Sequence, residues 1–427
     1  MRWIDRIATI VLLSVSCAAT AGDMPGMMPQ GDGKAAKPAK PIVAVGATLD
    51  SRGRLWLAQV DNQRLLVSYS EDSGLHFSAP VVVAQKQENI AADGESRPKI
   101  AVANDGTVLL TWTEALPNYS GNIRFARSVD GGKTFTAPVT LNDDGRITSH
   151  RFDSLAIDGK GRVAVAWLDA RDRDAAQEKS SARDRDAAKD KDRVFSGVSV
   201  YTVQSHDNGI RFDANRRLVE HTCECCRTAM TWSEEGPVVL WRNLYGTNTR
   251  DFAIASLDSG TVRRATDDEW QVDGCPHHGG GVAATGKTLH LVWFTNGKTR
   301  QGMFYKRIEG AAKNSNAALH SNPAESQAMP IGNAAAQAGH ASVAAAGKTV
   351  VLTWREFDGS NYVAQAMRSD DGGASWGAPQ PLGKSSGAAD YPLPLIDGRQ
   401  TLVVWNSISD GLRVFPVAAM PAEKAAK

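Results

Sequence analysis

The stretch SDDGGASW at residues 369–376 follows the pattern Ser-x-Asp-x-Gly-x-x-aromatic, and this pattern decides the fold because it recurs. Further copies occur at residues 70–77, 128–135 and 205–212. In each copy the Asp carboxylate can accept backbone N–H bonds, the Gly tolerates positive φ, and the aromatic ring packs on the turn. The four copies therefore predict a repeated tight turn between strands, which is a structural signal and not a catalytic one.

A second repeat surrounds these turns. It consists of an apolar strand, a turn that contains Gly, and a strand that ends in Trp, as in IAVANDGTVLLTW at 100–112 and VAAAGKTVVLTW at 343–354. The equivalent tryptophans are Trp112, Trp167, Trp241, Trp293, Trp354 and Trp405. Short strands with evenly spaced turns indicate an all-β propeller built from four-stranded blades.

The number of strand hairpins predicts seven blades over residues 42–417, with six blades as the alternative. The last blade, residues 392–417, lacks a fourth strand in the sequence pattern. We expect residues 42–45 to supply this strand and so close the ring.

Both repeats resemble the Asp-box (BNR-repeat) propellers of the sialidase superfamily. The segments HTCECCRTA at 221–229 and DEWQVDGCPHHGGG at 268–281 are similar to an exported bacterial branch that is commonly labelled exo-α-sialidase. The resemblance implies a Tyr nucleophile, a Glu that activates it and an Asp acid/base, for which Tyr391, Glu356 and Asp169 are the candidates. It also implies arginines that bind a substrate carboxylate, since guanidinium groups bind carboxylates bidentately. The candidate arginines are Arg97, Arg151, Arg227, Arg242 and Arg355. Structural ion pairs with acidic neighbours are the alternative role for them.

The charge and the N-terminus limit the classes of function. A formal net charge of +1 over 427 residues argues against a nucleic-acid or membrane-surface partner. Residues 1–21 have the basic start, apolar run and small-residue site of a Sec signal peptide, with cleavage after Ala21. A lipid anchor on Cys17 is the rival interpretation. We therefore expect a periplasmic or secreted protein, without a membrane anchor and monomeric.

Three segments fall outside the repeats. Residues 22–41 predict a disordered linker, in which Met24, Met27 and Met28 are either solvated residues or ligands that assist a soft metal. Residues 418–427 predict a disordered tail. The charged insertion at 170–193 predicts a solvated loop or a marginal helix, and no chemistry is assigned to it.

Strand order predicts where function lies. In a blade the first strand starts on the face where the second strand ends, so the segments before first strands and after the tryptophans surround one mouth. The Asp boxes lie on the opposite face. Besides the Tyr, Glu, Asp and Arg candidates above, the predicted mouth contains Cys223, Cys225, Cys226, Cys275, His277, His278 and His340.

These cysteines and histidines leave three interpretations open. A structural disulfide is one, because the chain is expected in an oxidising compartment. A bound Cu or Zn ion is another, because thiolate and imidazole ligands suit both metals. A redox-active thiol pair is the third.

Two functions therefore follow from the sequence, with a scaffold or adhesin-like binding module as a third class. The first is an exported propeller that binds a glycan or small anionic ligand at the mouth, with sialidase-type hydrolysis as an option. The second is a copper- or zinc-binding protein that uses the Cys/His cluster and cuts no glycosidic bond. No cofactor is certain.

Overall fold

The computed structural model describes residues 41–183, 197–310 and 326–419, without the side chains of 179–183. Within these residues the chain forms seven antiparallel sheets, six of four strands and one of three. Consecutive strands pair in every sheet, so each sheet is one meandering blade of a propeller. The predicted all-β, seven-bladed fold is confirmed.

The bounds of the strands follow the chain order. Blade 1 is β1 (Gly46–Leu49), β2 (Leu55–Asp61), β3 (Arg64–Ser70) and β4 (Val81–Val82); blade 2 is β5 (Lys99–Val102), β6 (Val108–Ala115), β7 (Gly121–Ser128) and β8 (Val139–Thr140). Blade 3 is β9 (His150–Ile157), β10 (Val163–Asp169), β11 (Val198–Ser205) and β12 (Arg216–Thr222); blade 4 is β13 (Ala229–Ser233), β14 (Gly236–Arg242), β15 (Phe252–Ser256) and β16 (Val262–Arg264). Blade 5 is β17 (Gly281–Thr285), β18 (Thr288–Asn296), β19 (Gln301–Glu309) and β20 (Met329–Ile331); blade 6 is β21 (Gly339–Ala346), β22 (Thr349–Phe357), β23 (Tyr362–Ser369) and β24 (Gln380–Ser385). Blade 7 is β25 (Leu393–Ile396), β26 (Thr401–Ser407) and β27 (Gly411–Pro416).

The six repeated tryptophans form the core between blades. Each is at most 2% exposed, and each lies on the second strand of its blade. Every indole N–H also donates a hydrogen bond, because a buried donor without a partner would be destabilising. The acceptors are Glu88 for Trp112, Asp169 for Trp167, Asn243 for Trp241, Asp268 for Trp293, Glu356 for Trp354 and the Asp390 carbonyl for Trp405, all at 2.8–2.9 Å.

The Asp-box turns have the geometry that their sequence predicts. In all four copies the Ser hydroxyl donates to the Asp carboxylate at 2.7–2.9 Å and accepts the N–H of the Gly at 2.8–2.9 Å. In the last copy Gly373 has φ +80°, and an added Cβ would lie 2.0 Å from the Tyr305 hydroxyl of blade 5. The glycine thus serves both the turn and the close contact between neighbouring blades.

The ring closes between blades 7 and 1, where β25 contacts β1. The prediction that residues 42–45 form a fourth strand of blade 7 is wrong, since they lie outside strands and blade 7 has three strands in the described residues. These residues lead directly into β1, an inner strand, whereas an outer strand would lie about 14 Å away across the blade. Closure uses side chains instead: Asp390 accepts the N–H of Val45 at 3.1 Å, and Asn406 donates to the Val43 carbonyl at 2.9 Å.

The start of the charged insertion forms a helix, α1 (Arg171–Arg183), directly after β10. Arg171 pairs with Asp169 at 2.8 Å and with Asp143 at 2.9 Å. Arg173 pairs with Glu224 at 2.6 Å, so the helix is attached to the segment that carries three of the cysteines. The only other helix in the described residues is a short 3-10 turn, Ala334–Ala336.

Several predictions concern residues outside the described ranges. These are the signal peptide with Cys17, the methionine-containing linker as far as residue 40, the insertion from 184 to 193, and the tail from 420 onward. In the part of the chain that the structure describes, neither helix is long and apolar enough to cross a membrane.

Candidate functional site

Glu95, just before β5, joins four blades at the predicted mouth. One carboxylate oxygen accepts Arg227 Nη1 at 2.6 Å, and the other accepts the backbone N–H groups of Arg227 at 3.2 Å and Gly279 at 3.0 Å. His340 Nδ1 lies 3.5 Å from Glu95. Burial alone would raise the pKa of Glu95, but the charge of Arg227 and the contact with His340 lower it to about 2. Glu95 therefore holds the loops that begin blades 4, 5 and 6 against blade 2 as a buried anion.

Three of the five candidate arginines are occupied by structural contacts. Arg97 makes two 2.9 Å bonds to Asp390, and Arg227 binds Glu95 as described above. Arg242 is 1% exposed and donates to the carbonyl groups of three residues. The acceptors are Arg250 at 3.0 Å, His278 at 2.9 Å and Phe294 at 2.9 Å. These contacts tie blades and loops together and leave little of each guanidinium for a ligand.

The other two candidate arginines, Arg151 and Arg355, have surroundings that differ from those of the first three. Arg151 lies with its guanidinium carbon 5.9 Å from the Phe152 ring, and its Nε has no hydrogen-bond partner among the described residues. Arg355 donates to the Ala389 carbonyl at 2.8 Å and lies over the rings of Tyr362 and Tyr391 at 4.2 and 5.0 Å. Among the described residues, no carboxylate lies within ion-pair distance of Arg355. Its charge is therefore available to an anion.

The three predicted catalytic residues lie in three different blades. Glu356 accepts Trp354 Nε1 at 2.8 Å, the Asn333 N–H at 2.9 Å and Gln365 Nε2 at 3.0 Å. Asp169 holds the equivalent position in blade 3, where it accepts from Trp167 and pairs with α1. In the described part of the chain, neither carboxylate is hydrogen-bonded to Tyr391. The main structural role of the Glu356 and Asp169 carboxylates is therefore to accept hydrogen bonds from buried indole N–H groups.

Tyr391 belongs to a column of stacked rings. Its ring centroid lies 3.8 Å from that of His340, which lies 4.2 Å from His278, which in turn lies 4.3 Å from Phe294. Burial raises the pKa of Tyr391 and lowers that of His278 to about 3. Both groups are therefore neutral near pH 7. The column joins blades 5, 6 and 7. The rings of His278 and His340 are stacked in it and do not belong to the groups of ligand atoms that contain the cysteines.

The cysteines do come together. Cys223, Cys225 and Cys226 occupy the loop between β12 and β13, and they are 0%, 4% and 0% exposed. Cys223 Sγ lies 3.6 Å from Cys225 Sγ and 3.9 Å from Cys226 Sγ, and the three sulfur atoms all lie within 4.8 Å of one another. Arg250 Nη1 donates to Cys223 Sγ at 3.4 Å. The loop thus forms a buried pocket of three sulfur atoms beside a guanidinium group.

This environment distinguishes Cys223 from its neighbours. Hydrogen bonding with the thiols of Cys225 and Cys226, together with the charge of Arg242, holds the pKa of Cys223 well below its usual value. Burial raises the pKa of Cys226 to about 11. Cys223 is therefore the thiol of the cluster whose ionised form its surroundings favour most.

A second group of ligand atoms adjoins the first. Cys225 Sγ, Cys275 Sγ and a ring nitrogen of His277 lie within 4.8 Å of one another, and Cys275 and His277 are exposed. The latter two come from the loop between β16 and β17. Five of the seven predicted metal ligands are thus close together at the start of blades 4 and 5, whereas His278 and His340 are not among them.

The four cysteines that the structure describes are free, so no disulfide is present among them. A disulfide bond is about 2.05 Å long, and the shortest sulfur contacts given above are nearly twice that distance. The adjacent Cys225 and Cys226 also have Cα atoms only about 3.8 Å apart, which is closer than a bridge prefers. The predicted disulfide is therefore not formed in this structure.

A cleft opens beside the ring column, between blades 5 and 6. Its volume is about 510 Å³. Its walls include Phe294, Asn296 and Gln301 from blade 5, and Arg355, Glu356 and Tyr362 from blade 6. Aromatic faces combined with amides and one available cation suit a polar, anionic ligand.

Sequence reasoning missed two parts of the mouth. The acceptors for the buried indoles were detectable in part, because Trp-x-Asp, Trp-x-Asn and Trp-x-Glu recur at 167–169, 241–243 and 354–356. No feature of the sequence predicted the contact of Arg250 with Cys223, because the two residues are 27 positions apart and no repeat relates them.

The fold and site thus define a seven-bladed propeller with a thiol-rich mouth. No protein-family model matches the chain, and no curated protein matches it by sequence. The likeness to the sialidase superfamily therefore stays a prediction.

Solved structures match at low identity. An α-L-arabinofuranosidase from Fusarium graminearum, in complex with an iminosugar inhibitor, is 13% identical with a TM-score of 0.47, over 78% of this chain and 93% of that one. An ulvan lyase is 10% identical with a TM-score of 0.48, over 88% and 94%. An α-L-arabinanase from Penicillium chrysogenum is 13% identical with a TM-score of 0.43, over 74% and 89%. At these values the matches carry no argument about what this chain binds.

Proposed function

We propose that this propeller binds copper(I) at the buried thiols of Cys223, Cys225 and Cys226. The observation that carries the proposal is their spacing. Three ligands around an ion with metal–sulfur bonds of about 2.3 Å lie about 3.8 Å apart in a tetrahedral arrangement and about 4.0 Å apart in a planar one. The observed 3.6 and 3.9 Å separations are close to both. The loop therefore needs little movement to hold an ion.

Two features favour copper(I) over zinc. Thiolate ligands suit both ions, but structural zinc sites use four protein ligands, whereas this pocket supplies three. The sulfur atoms are buried, which excludes the water that would complete a zinc site. Arg250 beside Cys223 offsets part of the thiolate charge with either ion, so it supports a metal site without choosing between the two metals.

The test is anaerobic loading of the reduced full chain with copper(I) or zinc(II), followed by desalting and elemental analysis. We expect copper to be retained and zinc to be removed by a modest chelator. The double variant Cys223→Ser with Cys226→Ser should lose the buried copper. A matched control, His206→Ala, alters an exposed histidine in an Asp-box turn and should leave retention unchanged. A wild-type chain that retains no copper, or a Ser variant that retains as much as wild type, would contradict the proposal.

A second candidate function rests on the cleft between blades 5 and 6. Arg355 faces it without a carboxylate partner among the described residues, beside aromatic and amide side chains. A carboxylated sugar fits this chemistry, and hydrolysis of a sialoside is the finer form of the hypothesis. Calorimetry with sialic acid tests binding, with Arg355→Ala as the variant and the exposed Arg399→Ala as its control. Turnover of a fluorogenic sialoside, lost in Tyr391→Phe, tests hydrolysis.

A further inference from the structure

The ligand atoms of the thiol-rich mouth fall into two groups, and Cys225 Sγ belongs to both. The buried group is Cys223, Cys225 and Cys226, and the exposed group is Cys225, Cys275 and His277. Within each group all ligand atoms lie within 4.8 Å of one another, but the five atoms do not form one such group.

One ion cannot use all five ligands in this arrangement. Two ligands of the same ion are separated by at most twice the bond length, which is about 4.6 Å for metal–sulfur bonds of about 2.3 Å. A thiolate sulfur has several lone pairs and can bind two soft ions at once. Since Cys225 is within reach of both groups, the arrangement provides three ligands for each of two ions.

We infer that the mouth binds two copper(I) ions bridged by the Cys225 thiolate. The inference rests on the proposed copper function and extends it. Each thiol that binds copper gives up its proton to solvent, and no electron is transferred. Four thiolates and two monovalent ions leave two net negative charges, which the adjacent Arg250 reduces.

The two sites differ in their access to solvent. Cys223 and Cys226 are fully buried, whereas Cys275 and His277 are exposed. Copper held by the exposed group can therefore be reached by a chelator or a partner, while copper in the buried group cannot. The exposed ion exchanges first, and the bridging sulfur connects it to the buried one.

The experiment is an anaerobic copper(I) titration of the reduced full chain against a chromophoric chelator. We expect two equivalents for the wild type and for the His206→Ala control. The variant Cys275→Ser with His277→Ala should bind one equivalent, and that ion should leave more slowly than the first ion lost by the wild type. X-ray absorption of the two-copper form should contain a short copper–copper path, which the one-copper variant lacks.

The outcomes separate this inference from the function on which it rests. If both the wild type and the variant bind one equivalent of copper(I), the second ion is ruled out and the buried site remains supported. If the wild type binds two equivalents but its X-ray absorption contains no copper–copper path, bridging of the two ions by the Cys225 sulfur is ruled out. Two equivalents in the Cys275→Ser, His277→Ala variant overturn the assignment of the exposed group, and no bound copper in the wild type overturns both proposals.

Discussion

Replacing Glu95 with Ala is expected to destabilise the propeller more than the loss of an ordinary surface charge. Its buried carboxylate accepts one side-chain bond and two backbone bonds from the loops of blades 4 and 5. The substitution leaves the Arg227 guanidinium, 12% exposed, without its anionic partner. Removing one partner of a buried ion pair costs about 3–5 kcal/mol. We expect a loss of that size in the free energy of unfolding from urea denaturation at pH 7.

Two further variants make this measurement decisive. Glu95→Gln keeps the shape and one acceptor but loses the charge, and it should cost about 1.5–3 kcal/mol, the range for hydrogen bonds to charged groups. Glu114→Ala removes a carboxylate at the end of β6 that lies 3.8 Å from Arg124 and is 21% exposed, so it should cost about 1 kcal/mol or less. If Glu95→Ala costs no more than Glu114→Ala, the role assigned to Glu95 is refuted.

The contribution of Glu95 should also depend on pH. Its pKa is lowered from 4.5 to about 2 in the folded chain, mainly by the charge of Arg227 acting against burial. A lowered folded-state pKa gives stability that is present above the unfolded pKa and lost as pH falls through the folded one. A pKa lowered to this extent corresponds to stability on the order of a few kcal/mol, the same order as the cost of removing one partner of the ion pair. The wild-type advantage over Glu95→Ala should therefore shrink between pH 5 and pH 2, and a constant difference would contradict this account.

Two other predictions concern the repeats. Gly373→Ala should lower the urea midpoint of unfolding much more than Gly372→Ala. Both glycines have positive φ, but an added Cβ would meet Tyr305 only at Gly373, whereas Gly372 has open space there. Equal losses in the two variants would show that the contact with Tyr305 is unimportant. Glu356→Leu should cost about 1–3 kcal/mol by leaving the Trp354 indole unpaired, and Glu356→Gln should recover most of it. A Gln variant as unstable as the Leu variant would contradict that hydrogen-bond assignment.

The sequence predicted the blades because the signals for them are local. Each Asp box contains its own donors, acceptors and glycine within eight residues, so one copy determines one turn. Strand order then places Cys223, Cys275 and their neighbours at one mouth without knowledge of any contact. The closing contact between Arg97 and Asp390 joins residues 293 positions apart, and nothing in the repeat marks it.

The prediction was least informative where one side chain had several available partners. A mouth rich in arginine resembles an anion site, yet Arg97 and Arg227 meet buried carboxylates and Arg242 meets three carbonyl groups. The partner of each depends on how neighbouring blades approach, which is decided by packing and not by the arginine itself. The same reason separates His278 from His277, because adjacent side chains on a turning loop point in different directions.

The position of the cysteine loop explains why three thiols stay in contact. The Cys223 N–H donates to the Arg242 carbonyl at 3.0 Å at one end, and Arg227 is bound to Glu95 at the other. Only three residues lie between these fixed points, so the loop backbone keeps the three cysteines close together. Ligands that are already close lose little conformational entropy when an ion binds, which favours affinity. The Glu95→Ala variant should therefore weaken copper binding as well as the fold, although Glu95 touches no sulfur atom.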